Sequence, residues 1–185
     1  KLHLHTIPPM PADEILSNLR KYLPEDIGIY SCKNVSARFH ARLNAKTKTY
    51  HYRVWNSGMP CVFDRKYVYI CQDQLDINAM RMAAEYFLGE HDFSAFCANK
   101  NMKKSTVRYI ESFDIDVTDY EVIFKVTGNG FLHHMVRIMV GTLLEVGCGR
   151  MPVDQVGAVL ANPDRQKAGP TAPAQGLCLM SVDYD

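Results

Sequence analysis

The sequence predicts an α+β fold, in which helices pack on one face of a mostly antiparallel sheet. Four segments carry apolar residues at helical spacing, and segments rich in β-branched and aromatic residues separate them. Two of the predicted strands are joined by only three residues, which requires a hairpin. Because no internal repeat or low-complexity linker interrupts the 185 residues, a single domain, 1–185, is predicted.

The first half of the chain begins with a predicted helix that Asp13 caps and Pro24 ends. Strands are predicted at 27–35, 47–55 and 66–71. In the second of these, Tyr50, Tyr52 and Val54 share one face because side chains alternate along a strand.

The second half contains three more helices and three more strands. Asp76 is predicted to cap a helix that Gly89 closes. The remaining elements are hairpin strands at 107–117 and 121–126, an apolar helix at 131–146, a shorter helix at 153–160, and a last strand at 177–184.

Composition excludes several classes of protein. With 47% hydrophobic and 22% charged residues, the chain is close to the globular average. A chain of this length buries about 70% of its unfolded surface, so it needs no disulfide or metal to fold. No apolar run approaches the roughly 20 residues that span a bilayer, and no signal peptide is recognisable. We therefore expect a cytoplasmic protein that makes no membrane contact.

Cysteine and histidine spacing gives no sign of a metal site. The six cysteines include no Cys-x-x-Cys pair, so zinc ribbons and redox dithiols are not expected. His133 and His134 are adjacent on a predicted helix, where neighbouring side chains diverge by about 100°. We expect reduced thiols and no bound metal.

The net charge of +1 conceals a strong asymmetry. Windows 33–53 and 100–108 hold ten of the 21 basic residues and no acidic residue, whereas the rest carries eleven basic and twenty acidic residues. The first window also interleaves aromatic side chains. Cations that neutralise phosphates, together with rings that stack on bases, indicate a nucleic-acid surface. A solvated strand face beside ordinary core aromatics is the alternative.

Four segments have residue patterns that are unusual for a purely structural part of a fold. They are Ser36–Arg53 with its Lys-Thr-Tyr-His-Tyr stretch, the Gly-Glu-His-Asp-Phe segment at 89–96, the Gly-Asn-Gly-Phe-Leu-His-His-Met-Val-Arg run at 128–137, and the Gly/Pro-rich loop at 168–177. In this order and at these separations they resemble the tRNA pseudouridine synthase A family. The resemblance covers nearly the whole chain.

The resemblance implies an enzyme that isomerises uridine to pseudouridine in the tRNA anticodon stem-loop, at tRNA positions 38–40. In such enzymes the base is detached from its ribose, rotated and rejoined through carbon, without a cofactor. A carboxylate acts at the sugar carbon, and the base must leave the stack to reach it. Family enzymes work as homodimers, with the tRNA crossing both subunits.

The family's nucleophilic aspartate lies in an Arg-Thr-Asp-Ala-Gly motif, which this sequence does not contain. Since the chain also starts at Lys1, we interpret it as the C-terminal portion of a longer enzyme and expect it to be inactive alone. Asp92 belongs to a different segment, after a helix end, and is expected to form a turn.

Three pocket residues follow from the resemblance. Tyr50 matches the active-site tyrosine that packs against the target base and is a candidate for the later proton transfer. Arg137 matches the arginine that pairs with the aspartate, and Leu177 matches an apolar wall of the pocket. Without the motifs, the alternatives are a core tyrosine, a helix-surface cation and a core leucine.

Further residues are expected to contact RNA. Arg42 and His40 are assigned to the RNA backbone or to support of the pocket. The expected phosphate contacts are Arg38, Lys46, Lys48, Lys100, Lys103 and Lys104.

Two other functions stay open. One is an RNA-binding module without catalysis, although the signature of the common RNA-recognition module is absent. The other is a hydrolase that uses Asp92 with His91, or a cysteine–histidine pair that includes Cys97. The hydrolase requires a histidine about 3 Å from Asp92 or Cys97.

Overall fold

The computed structural model describes residues 2–4, 6, 8–99 and 102–184. The chain forms two compact units, Lys1–Ala45 and Lys46–Asp185. The first contains one helix, and the second contains the sheet and the other helices. Among the described residues, no helix has the length and apolar character needed to cross a membrane.

The helix of the first unit, α1, spans Ala12–Tyr22. It begins directly after Pro11, so Asp13 lies in the first turn and is not the cap that the sequence predicted. Asp13 and Glu14 in the first turn, with Arg20 in the last, complement the helix dipole.

The predicted strand at 27–35 is wrong, since these described residues form no strand. The Arg20 guanidinium donates to the backbone carbonyls of Ile29 and Tyr30, at 3.0 Å each. A side chain therefore occupies carbonyls that a neighbouring strand would have used. The Tyr30 side chain is 95% exposed, so the apolar pattern here does not mark a buried strand face.

The second unit is built on a six-stranded sheet. Its strands are β1 (Thr47–Trp55), β2 (Tyr69–Ile70), β3 (Gly89–Asp92), β4 (Val107–Val117), β5 (Glu121–Gly128) and β6 (Leu177–Asp183). Their order is β2-β1-β5-β4-β3, and β6 also pairs with β1. Every pairing is antiparallel except that of β1 with β2. The predicted bounds of β1 and β4 are confirmed.

Three helices complete this unit: α2 (Ile77–Glu85), α3 (Met135–Gly147) and α4 (Gln155–Ala161). The Asp76 side chain accepts the N–H of Ala79 at 2.9 Å, which confirms the predicted cap of α2. Buried residues of the helices join Tyr52, Val54 and Phe124 in one core cluster. The predicted α+β fold is thereby confirmed.

Three elements differ from prediction. The segment at 89–92 forms the edge strand β3 and not the predicted turn, since Gly-Glu-His-Asp has low strand propensity and does not indicate a strand. Among the described strands, β3 pairs with β4 alone. The strand β2 is short because a turn at 64–67 precedes it, with the Tyr67 N–H bonded to the Asp64 carbonyl at 2.7 Å. Helix α3 begins at Met135 and not at 131, because His134 is left-handed, at φ 60°.

The loop at 168–176 lies against α3 at unusually close range. The Thr142 hydroxyl, fully buried, donates to the Ile138 carbonyl and accepts the Gly169 N–H. A Cβ on Gly141 would overlap the carbonyl oxygen of Pro170, and one on Gly169 would lie 2.5 Å from the Cα of Thr142. Two backbones therefore touch where any larger side chain would separate them.

We predict that Gly141→Ala will lower the free energy of unfolding by about 3 kcal/mol, the upper part of the range for overpacking, because a backbone carbonyl has to move. Urea denaturation measures the change. Gly58→Ala is the matched control, since no atom lies within 4 Å of its added Cβ. Equal midpoints for the two variants would show that the loop does not depend on this contact.

Candidate active site

Tyr50 lies near the beginning of β1, on the face that carries the buried Tyr52 and Val54. Its ring meets the edge of Phe131, with centroids 5.2 Å apart and planes at 85°. The side chain is only partly buried, so part of it is accessible to solvent. Burial raises the pKa of the Tyr50 phenol, which therefore carries its proton at neutral pH.

The turn before Phe131 is fastened to β4. Asn129 donates its N–H to the Tyr109 carbonyl and accepts the Tyr109 N–H on its side chain, both at 3.0 Å. Gly128 approaches the same carbonyl so closely that an added Cβ would lie 2.7 Å from the oxygen. The glycine and the asparagine together fix Phe131 beside Tyr50.

Arg137 lies in the first turn of α3. Its Nε donates to the Ala172 carbonyl at 2.6 Å, and the Ala172 N–H donates to the Arg137 carbonyl at 3.1 Å. Within the described residues, no carboxylate forms an ion pair with Arg137. The guanidinium is thus oriented by a neutral partner and keeps its positive charge available to an anion.

Tyr52 and Leu177 extend the same region. The Tyr52 hydroxyl donates to the Pro173 carbonyl at 2.7 Å. Burial strongly raises the pKa of Tyr52, and the nearby Arg137 opposes this in part. Leu177 pairs with Tyr52 across β6 and β1, and its half-buried side chain packs against the core. One loop therefore links Arg137, Tyr52 and Leu177.

His133 and His134 precede α3 and do not lie on it, so the prediction that they diverge on a helix is wrong. Their rings stack, with centroids 3.8 Å apart and planes at 29°. Burial, and then His133 and Arg137, lower the pKa of His134. Among the described residues, no group of three or more His, Cys, Asp or Glu side chains is arranged to hold a metal ion.

The predicted phosphate contacts of the second unit lie at its surface. Lys48 pairs with Gly128 and, by strand alternation, shares the face of Tyr50. The side chains of Lys46, Lys103 and Lys104 are exposed. Lys100 lies outside the described residues.

Three further predicted residues belong to the first unit. The His40 Nδ1 accepts the backbone N–H groups of Arg42 and Leu43, at 3.2 and 3.3 Å. The imidazole thereby closes a turn, from which the exposed Arg42 side chain projects. Arg38 is also exposed, in the preceding turn.

The geometry required for a hydrolase is not found among the described side chains. Asp92 is the last residue of β3, and its side chain bonds with the Thr106 side chain and accepts the Ser94 N–H, which lower its pKa. His91 contacts the Leu88 carbonyl through Nε2. The Cys97 thiol bonds to the Asn99 carbonyl.

The described cysteines are all free thiols. Burial, followed by a hydrogen bond to Asp73, raises the pKa of Cys148 to about 11. Burial also raises the pKa of Cys71. Thiols of this kind stay protonated at neutral pH and are poor nucleophiles.

Sequence reasoning did not single out two residues of this region, Phe131 and Tyr52. Tyr52 alternates with Tyr50 on one strand face, a signal that the pattern already contained. Phe131 was assigned to the helix that follows. The Gly-Asn-Gly run just before it was the available sign of a turn.

These motifs and this sheet define a class of RNA-modifying enzyme. A sequence model of the family described as tRNA pseudouridine synthase matches residues 83–185. The chain belongs to this family, and the resemblance that its motifs indicated is confirmed. Its members are isomerases.

Relatives match almost the entire chain. The protein named tRNA pseudouridine synthase A from Acetivibrio thermocellus is 42% identical over 175 residues, which is 95% of this chain and 72% of that relative. The protein of the same name from Halalkalibacterium halodurans is 46% identical over 176 residues, 95% of this chain and 67% of that relative. One from Bacillus cereus, named tRNA pseudouridine synthase A 1, is 44% identical over 184 residues, 98% of this chain and 74% of that relative.

We predict that Tyr52→Phe will lower the free energy of unfolding by about 1 kcal/mol at pH 7, because the Pro173 carbonyl loses its donor. The unfolded tyrosine ionises at about pH 10, below the raised pKa of the folded one, so wild-type stability falls as pH rises above 10. The phenylalanine variant lacks this loss. The difference in free energy of unfolding between wild type and variant should therefore be smaller at pH 11 than at pH 7.

Urea denaturation at both pH values measures this deficit. Tyr67→Phe is the matched control, at a side chain that is 66% exposed, and should change stability little. A deficit for Tyr52→Phe that stays constant with pH would contradict the assignment.

Proposed function

We propose that this chain forms the uridine pocket of a tRNA pseudouridine synthase that acts on the anticodon stem-loop at tRNA positions 38–40. One observation carries the proposal. In a chain of this family, the partly exposed Tyr50 shares a strand face with Tyr52, and Tyr52 bonds to the same loop as Arg137. Among the described residues, Arg137 has no carboxylate partner. A flipped base needs a ring to stack on, and the reaction needs a positive charge that can orient a carboxylate.

The roles follow from the chemistry. The reaction breaks the bond from ribose to uracil N1 and forms a bond from ribose to C5. C5 then loses its proton, and N1 takes one up, so the product is an isomer of the substrate. Arg137 holds the nucleophilic carboxylate ionised and oriented. Tyr50 packs against the base, and Leu177 is an apolar wall of the pocket. Because burial raises its pKa, Tyr50 can take the C5 proton only if the rearranged base is far more acidic than uracil.

The carboxylate is the component that these 185 residues do not supply. The sequence contains no Arg-Thr-Asp-Ala-Gly motif. In the part of the chain that the structure describes, the side chain of Arg137 bonds only to a backbone carbonyl. We therefore propose that this chain binds and orients the substrate and does not isomerise it by itself.

The proposed partner is tRNA. Arg38, Lys46, Lys48, Lys103 and Lys104 are assigned to its phosphates, and Arg42 and His40 to the RNA backbone or to support of the pocket. Lys48 has the most specific support, since it shares the strand face of Tyr50. A homodimer in the cytoplasm is also proposed, on the family resemblance alone.

A non-catalytic RNA-binding module is the second candidate function. The missing carboxylate favours it, and the basic surface serves it equally well. One measurement distinguishes the two candidates. Once the Arg-Thr-Asp-Ala-Gly motif is added to the chain, a synthase isomerises uridine in tRNA and a binding module does not.

We predict that the 185-residue chain will release no tritium from tRNA labelled at uracil C5. The same chain preceded by a segment that carries the Arg-Thr-Asp-Ala-Gly motif should release it. That segment with Asp changed to Asn is the control. Release by the 185 residues alone would contradict the proposed division of roles, and no release with the motif present would favour the binding module.

We predict that Arg137→Ala, in a form that carries the motif, will reduce the rate by about 100-fold or more, because the carboxylate loses its charged partner. The affinity for tRNA should change less than threefold. Arg81→Ala is the matched control, since Arg81 also donates to a backbone carbonyl, that of Ile115. Equal losses of rate and affinity would place Arg137 on the RNA surface.

A further inference from the structure

We propose that Arg108 binds the RNA phosphate next to the target uridine, at the edge of the pocket that contains Tyr50. This inference rests on the proposed function and adds a substrate-binding residue to it. Three observations support it: the position of the Arg108 guanidinium, its hydrogen bonds, and the absence of a carboxylate partner among the described residues.

The position of Arg108 is set by β4. Arg108 shares a strand face with the buried Ile110, which pairs with Gly128 of β5. The Cδ and Nε of Arg108 lie 3.5 Å from the point where a Cβ on Gly130 would stand. The Arg108 side chain therefore lies directly beside Gly130, at ordinary van der Waals range.

That turn connects Arg108 to the tyrosine. Asn129 connects it to Tyr109, the residue after Arg108, by donating its N–H to the Tyr109 carbonyl and by accepting the Tyr109 N–H on its side chain. Phe131 follows Gly130 directly and packs edge-on against Tyr50. Arg108, Phe131 and Tyr50 thus lie in succession on the same side of the sheet.

Among the described residues, Arg108 forms no salt bridge. Two other arginines of this unit are held in salt bridges, Arg53 by Asp64 and Glu121, and Arg150 by Asp73 and Glu145. Arg108 has no such ion pair within the described ranges. Its Nη1 donates to the carbonyls of Ser105 and Val107, at 2.9 and 2.5 Å.

These two bonds orient the guanidinium without neutralising it. Nε and Nη2 form one edge of the planar group, and no protein acceptor is recorded for either among the described residues. Two parallel N–H donors match two phosphate oxygens. Since each nucleotide carries a phosphate, a base extruded onto Tyr50 brings one to the edge of this pocket.

The first test uses fluorescence anisotropy with an anticodon stem-loop RNA over a series of salt concentrations. Arg108→Gln should weaken binding about tenfold at low salt and reduce the slope of log K against log salt by about 0.7, the value for one single-stranded phosphate contact. Arg108→Lys should recover part of the affinity and the full slope. Arg65→Gln, at an exposed arginine beyond the other end of β1, is the control and should change neither quantity.

The second test modifies the RNA and leaves the protein intact. Neutral methylphosphonate linkages are placed one at a time along the loop. One linkage beside the target uridine should weaken the wild type about tenfold and leave Arg108→Gln unaffected, because the lost contact is the same one.

The two tests distinguish failure of the proposed function from failure of the role of Arg108. If the wild type does not bind the stem-loop more tightly than an unrelated hairpin, the proposed function fails, and this inference fails with it. If the wild type binds, but Arg108→Gln keeps the wild-type slope or responds to every methylphosphonate as the wild type does, Arg108 does not contact a phosphate. The proposed function would then stand.

Discussion

The close approach of the loop at 168–176 to helix α3 is the constraint on which the rest of the site depends. Gly141 and Gly169 remove the side chains that would hold the two backbones apart, and Thr142 fills the space with two buried hydrogen bonds. Only at this distance can Ala172 bond to Arg137 in both directions. The same loop then brings the Pro173 carbonyl to Tyr52 and leads into Leu177. Backbone packing in the core thus determines where a charged side chain of the pocket is aimed.

Strand β1 is the second determinant, because it is paired on both sides. Its partners β5 and β6 fix the register of Tyr50 and Tyr52 from opposite edges. Alternation then gives two tyrosines with different environments. Tyr52 is buried, and its hydroxyl donates to the Pro173 carbonyl, so its role is to hold the loop in place. Tyr50 lies two residues before Tyr52 on β1, where its ring contacts Phe131 edge-on and its side chain is only partly buried. Their positions along one strand therefore give Tyr52 a structural role and leave Tyr50 accessible to a substrate.

The sequence predicted the elements whose periodicity is long and regular. Strands β1 and β4 were located to the residue, and Asp76 caps α2 as its pattern indicated. The errors occur where a local contact overrides the pattern. Ile29 and Tyr30 look like strand residues, but Arg20 occupies their carbonyls. His134 adopts a left-handed conformation that only the tertiary structure can impose on a side chain of this kind, and it delays the start of α3.

In the candidate site too, sequence motifs predict some residues, whereas others can be identified only from tertiary contacts. Tyr50, Arg137 and Leu177 could be named because motifs mark them, whereas Phe131 was missed because its role depends on a contact across the sheet. The structure also distinguishes the arginines by their hydrogen-bonding partners. A sequence records only that arginines are present, whereas the structure distinguishes those whose charge acidic partners offset, such as Arg53 and Arg150, from those oriented by carbonyls. An arginine held by carbonyls is ordered in advance and keeps its full attraction for an anion, which is the property that recognition of a carboxylate or a phosphate requires. Arg137 and Arg108 meet this condition on the side of the sheet where Tyr50 lies.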